Sequence, residues 1–146
     1  MSNRIEMPKS PSRNRKCDEY EKFKALKNYY ITEVVLGRNQ VKLYRNIKPM
    51  KVEAVKIDTD PDSWTYNNIV KFVGTSSNGK KKTLVAHNYR HYFLKLDDAC
   101  NWYDERIAEA QITIKKNINI LIEKYNTLED EKINIRSKKL ERLCND

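Results

Sequence analysis

With 146 residues, 39% of them hydrophobic and 34% charged, the chain suits one domain with a modest core and a sizeable solvated part. No apolar run reaches the length of a membrane span, and Met1 is followed by polar and basic residues rather than an apolar stretch, so neither a spanning helix nor a secretory signal is expected. The net charge of +9 is unevenly placed: residues 1–16 carry +4, residues 17–95 carry +7 and residues 96–146 carry −2.

Residues 1–16 mix Ser, Asn, Pro and Arg with little apolar content and read as a disordered basic arm, with Arg13, Arg15 and Lys16 near its end. In residues 17–27, Tyr20, Phe23 and Leu26 lie three apart behind a first turn rich in acid, the pattern of a short amphipathic helix. The run Tyr29–Leu36 is β-prone and ends at Gly37, where Gly37-Arg38-Asn39 reads as a turn. Val41, Leu43 and Ile47 alternate with polar positions as in a half-buried strand, Pro49 punctuates, and Val52 to Ile57 reads as another strand. Asp58 to Ser63 is a polar turn, Trp64 to Val73 a further strand, and Thr75 to Gly79 a hairpin turn closed by Asn78-Gly79. Lys82 to Ala86 and Tyr92 to Leu94 complete four to six short strands with no helix between them. Parallel pairing needs long crossovers, so the sheet is expected to be antiparallel, as a bent meander or a small SH3-like barrel spanning residues 17–96 with the short helix.

From about Asp97 to Asn145 neither Gly nor Pro occurs. Ile107, Ile114, Leu121, Leu128 and Ile135 recur every seven residues, flanked by Ile118 and Tyr125, which predicts a long helix over residues 97–146. The β unit is too small to cover the whole row. Its outer part is therefore expected to pack on a second subunit, the alternative being a hairpin that folds back near Asn126-Thr127.

The fold class is accordingly α+β. Candidate chemistry is thin. His87, Tyr89, Arg90 and His91 cluster after a strand, but a zinc site needs three or four converging ligands, and the segment reads better as a basic and aromatic surface loop for a partner. Asp58, Asp60 and Asp62 alternate as in a calcium loop, yet Ser63 and Ile69 stand where an EF-hand wants Gly and Glu. Glu53 and Lys56 lie three apart, on opposite faces of a strand, so they make no nuclease pair. Cys17, Cys100 and Cys144 are odd in number and far apart, which suits a reducing cytoplasm rather than a disulfide framework. These readings predict a non-enzymatic protein with neither cofactor nor metal. The stronger signal is basic: Arg38, Lys48 and Lys51, and the Lys80-Lys81-Lys82 run, on loops with Tyr and Trp nearby, the residue types that track phosphates and stack bases.

The segment Tyr92-Phe-Leu-Lys-Leu-Asp-Asp-Ala99, closing a β meander and opening a long helix, resembles a layout found in small bacteriophage accessory proteins. Lys95 and Leu96 stand where that layout usually places a Ser or Thr cap. The resemblance covers about residues 29–125 and implies a modulator or inhibitor of host nucleic-acid machinery, restriction and CRISPR defence included. The expected partners are thus a host protein or protein–nucleic-acid complex, or DNA or RNA directly, with self-association through the helix and no membrane.

Overall fold

The computed structural model describes residues 4–11, 17–87 and 89–144, with side chains as far as Lys132. Six strands and two helices follow in the order β1 (Arg4–Ile5), α1 (Asp18–Ala25), β2 (Tyr29–Leu36), β3 (Leu43–Ile57), β4 (Ile69–Thr75), β5 (Lys81–Val85), β6 (His91–Phe93) and α2 (Leu96–Cys144). One sheet holds all six strands in the order β1-β6-β2-β3-β4-β5, with every pair antiparallel. The architecture is the α+β arrangement that the alternating pattern predicts.

The sheet is rolled. In a flat sheet β4 and β6 would lie three strand spacings apart, about 14 Å, yet the rings of Phe72 and Tyr92 have centroids 5.7 Å apart. Curling brings Tyr29, Ile31, Met50, Val52, Phe72, Leu84 and Tyr92 into one buried cluster. Helix α1 plugs it. Three acids in its first turn and two lysines in its last complement the helix dipole. Phe23 meets Tyr29 and Tyr92 at 5.5 and 5.3 Å, and the Ile69 N–H donates to the Tyr20 hydroxyl at 2.7 Å.

The structure corrects several expectations. Residues 4–11, read from sequence as part of a disordered arm, lie against the sheet instead: β1 extends the edge of β6, and Ile5 and Met7 pack on the core, where Met7 Sδ accepts from the Tyr92 hydroxyl. Arg13, Arg15 and Lys16 lie outside the described residues. Pro49 does not divide two strands. Between the pairs Ile31–Met50 and Glu33–Ile47, β3 spends one residue more than β2, so Pro49 sits at a bulge, and β4 begins to pair only at Lys51. A proline is tolerated there because no ladder hydrogen bond is asked of it. Trp64 and Tyr66 belong to no strand; they stand in the loop of turns after β3, where Trp64 is 96% exposed. In the β4–β5 turn Gly79 alone has a positive φ, +82°, while Asn78 Oδ1 accepts from the Ser76 hydroxyl and the Lys80 N–H. Finally, α2 runs unbroken through Asn126 and Thr127, so the chain makes no helical hairpin there.

Helix α2 lies across the outer face of the sheet, opposite the core, on β2, β6 and the first half of β3. Ala99 and Ala110 let it approach closely, and Trp102 stacks on His91 at 4.3 Å and on Phe93 at 6.0 Å. The contact ends at Asn117, whose side-chain amide donates to the Gln40 carbonyl at 2.9 Å. Among the described residues no helix is long and apolar enough to cross a membrane.

Candidate functional site

The half of the outer face that α2 leaves bare is built by β3, β4 and β5. Their registers set nine side chains in three rows across the strands: Lys56–Lys71–Val85, Ala54–Val73–Thr83 and Lys51–Thr75–Lys81. Seven of the nine are exposed, and Val73 and Thr75 are half-buried. Four of the nine are lysines. Lys80 precedes the last row in the β4–β5 turn, Lys82 turns to the opposite face with Leu84, and Glu53, at the β3 bulge, is held by the Thr75 hydroxyl at 2.7 Å.

Lys56 and Lys71 are direct cross-strand partners on this face. Opposed residues in an antiparallel pair have Cβ atoms about 5 Å apart, and like charges so placed repel. Lysines on an edge strand have a structural explanation, since they keep the edge from pairing with other chains. That accounts for Lys81 and Lys82 on β5, which ends the sheet, but not for Lys56 and Lys71 on the interior strands β3 and β4.

Beside the Lys51–Thr75 row a groove of about 680 Å³ opens between the sheet and the start of α2. Tyr30, Pro49, Leu96, Cys100 and Tyr103 supply its apolar walls, with Lys48 and Lys51 balanced by Glu53 and Asp104 around them. Tyr103 is fixed by the Asn46 amide, which donates to its hydroxyl at 2.8 Å. Burial, then Asp104 and Asp97, raises the Cys100 thiol pKa, so the thiol stays protonated.

Of the basic residues singled out from sequence, the structure brings together Lys48, Lys51, Lys80 and Lys81, while Lys82 alternates to the other face of β5 with Leu84. Arg38 is exposed on the β2–β3 turn, eight β3 residues and about 26 Å of strand away from Lys51. Tyr89 is exposed beyond β5, its ring 5.9 Å from that of His87. Arg90 is no surface residue: it is 7% exposed, and its guanidinium binds the buried Glu33 carboxylate and the Val85 carbonyl. Arg45 takes the other Glu33 oxygen at 2.9 Å, while His87 Nε2 approaches to 3.5 Å without a hydrogen bond. This cluster ties the chain after β5 back to β2. Burial, then Arg90, lowers the His87 pKa, and burial with Arg4 and Arg106 pushes that of His91 down to about 4. Asp58 and Asp60 spend their carboxylates on the N–H groups of Asp60 and Asp62, as a polar turn requires. The helix row is divided: Ile107 and Ile114 are half-buried, Ile118, Leu121, Tyr125 and Leu128 are exposed, and the Ile135 side chain lies outside the described residues.

Sequence reasoning missed Lys56 and Lys71. A period of two along β3 and β4 puts each on the outer face, but only the strand register shows that they are neighbours. Compared with protein-family models, curated proteins and solved structures, the chain matches none.

Proposed function

We propose that the protein is a non-catalytic binding protein whose bare β3–β5 face holds the phosphate backbone of a nucleic acid. The opposed pair Lys56–Lys71, on interior strands of an exposed face, carries the reading. An isolated sheet gains nothing from that repulsion, whereas a phosphate lying between two ammonium groups converts it to attraction. Tyr30 and Tyr103 in the adjoining groove give bases a surface to stack on. Each phosphate neutralised releases counterions, so affinity for single- or double-stranded oligonucleotides should fall steeply with salt. Four lysine contacts give a log–log slope near −3 to −4. An electrophoretic shift or anisotropy titration between about 50 and 200 mM salt tests this, and the absence of any binding at the low end refutes it.

A second reading rests on the middle of the same face. Ala54, Val73 and Val85 form a small apolar patch among the lysines, an apolar centre with a charged rim such as protein interfaces show. In that reading the protein modulates or inhibits a host protein that handles nucleic acid, the role its layout implies. Capture from bacterial lysate separates the two: a partner that stays bound after nuclease treatment favours the second, and one lost with the nucleic acid favours the first.

A further inference from the structure

The groove beside the lysine face opens where one row of the sheet passes out from under α2. The strand registers place Phe93, Tyr30, Lys51, Thr75 and Lys81 side by side in that row, on β6, β2, β3, β4 and β5. Phe93 is fully buried under the helix, Tyr30 is half-buried at its edge, and Lys51 and Lys81 are exposed. Tyr30 and Lys51 are direct cross-strand partners, so their Cβ atoms lie about 5 Å apart. Tyr103, on α2, lines the same groove, and the bond from the Asn46 amide to its hydroxyl pins the ring. Groove and open strip differ in charge. Glu53 and Asp104 offset Lys48 and Lys51 around the groove. The strip of β3, β4 and β5 has four lysines and no acid among its nine places.

Building on the phosphate-binding reading, we infer that the nucleic acid is a single strand, with an unpaired base seated in the groove on Tyr30 and Tyr103 and its phosphates on the lysine strip. An uncharged base goes where the lysines are offset, and phosphates go where they are not. Lys51 stands at the junction, next to the ring on which the base stacks, and there it meets that nucleotide's phosphate. From the Lys51–Thr75–Lys81 row to the Lys56–Lys71 pair is four residues of β4, about 14 Å, which an extended strand crosses in a few nucleotides. A duplex does not suit the place. The strip spans only about 10 Å from β3 to β5, and α2 stands about 10 Å above the sheet along one side. A duplex is at least about 16 Å across, the sum of its two groove depths, so it overhangs the strip. Its bases also stack on one another inside the helix, where neither tyrosine reaches them. Stacking on an aromatic ring tolerates any base, so the recognition is of unpaired bases rather than of sequence.

The test uses the full chain at about 50 mM salt, titrated by fluorescence anisotropy with a labelled single strand of about 12 nucleotides and with the duplex of the same sequence. The single strand should bind about 10-fold more tightly or better, although the duplex carries twice the charge. Tyr103→Ala should weaken single-strand binding by about 10-fold and leave duplex affinity unchanged, while Tyr103→Phe, which keeps the ring, should retain most of the single-strand affinity. Circular dichroism reports whether Tyr103→Ala is folded, and photo-crosslinking of the wild-type chain needs no variant. A single strand carrying 5-iodouracil should attach to Tyr30 or Tyr103, as read by mass spectrometry of the peptides, rather than to the exposed Tyr44, Trp64, Tyr66 or Tyr89. Equal or tighter binding of the duplex, single-strand affinity indifferent to a folded Tyr103→Ala, or attachment confined to the other aromatics would each overturn the single-strand assignment and leave the phosphate-binding reading standing. Absence of binding to either form would remove both.

Discussion

The outer face of the sheet has two halves, and they differ in kind. Over β6, β2 and the start of β3, Phe93 is fully buried under α2, with His91 and Trp102 stacked in the same layer. Over the rest of β3, β4 and β5 the face is open and four of its nine places are lysines. The bare half is not bare for want of helix. With 49 residues, α2 has the length to turn back, yet it continues straight past Asn117. The residues fit the choice, because four lysines around a small patch of Ala54, Val73 and Val85 leave a helix little apolar area to bury. One half of the face is covered from within, and the other is left open with lysines at four of its nine places.

Gly74 joins the two faces and gives the largest expected effect. A Cβ at this position would fall 1.9 Å from the Lys51 carbonyl oxygen, a backbone atom that cannot step aside. Gly74→Ala should therefore cost about 3 kcal/mol or more, or prevent folding, as read by urea denaturation. Retention of wild-type stability would show that the β3–β4 approach beneath the lysine rows is not as close as described. On the covered half, Trp102→Ala removes the ring stacked on His91 and Phe93, with an expected loss of about 2 kcal/mol. If the urea midpoint does not move, α2 is not anchored by this layer.

A pH titration probes the covered half more finely. His91 sits beside Arg4, Arg106 and the Trp102 ring, and its pKa is depressed to about 4 from an ordinary 6.5. Below pH 6.5 the unfolded chain takes up a proton that the folded chain refuses, so the contribution of this group to stability falls between pH 6.5 and about 4 and levels off below that. His91→Phe should flatten that part of the stability profile, and an unchanged profile would mean that His91 is not held neutral. The smallest effect is expected on the bare half and has the opposite sign. Lys71→Glu replaces the repulsion with Lys56 by attraction and should stabilise the protein by about 0.5 kcal/mol, measured by thermal or urea unfolding, while weakening any anion binding. Destabilisation would mean that the two lysines are not the neighbours the register makes them.

Much of this fold was legible in the sequence because it is written in local periods. The β-prone run Tyr29–Leu36, the alternation through Leu43 and Ile47, the Asn78-Gly79 turn and the seven-residue row in α2 each report on neighbours along the chain. What stayed hidden depends on partners far away in sequence. Pro49 reads as a break until the bulge opposite Ile31 and Glu33 is seen. Trp64 reads as strand because aromatics favour strands, yet among the described residues it is left 96% exposed. Arg90 reads as surface until Glu33, 57 residues earlier, is found beside it. The candidate site was half legible for the same reason. The run Lys80–Lys82 announces itself, whereas Lys56 and Lys71, 15 residues apart, become one feature only through the β3–β4 register.

The most direct test of a phosphate-binding lysine face is the salt dependence of oligonucleotide affinity for the wild-type chain and for Lys56→Ala/Lys71→Ala. If these two lysines each hold a phosphate, the double variant binds more weakly at low salt, its log–log slope is shallower by about 2, and its stability is equal to or slightly above that of the wild type. A variant that binds with unchanged affinity and unchanged slope would contradict the account.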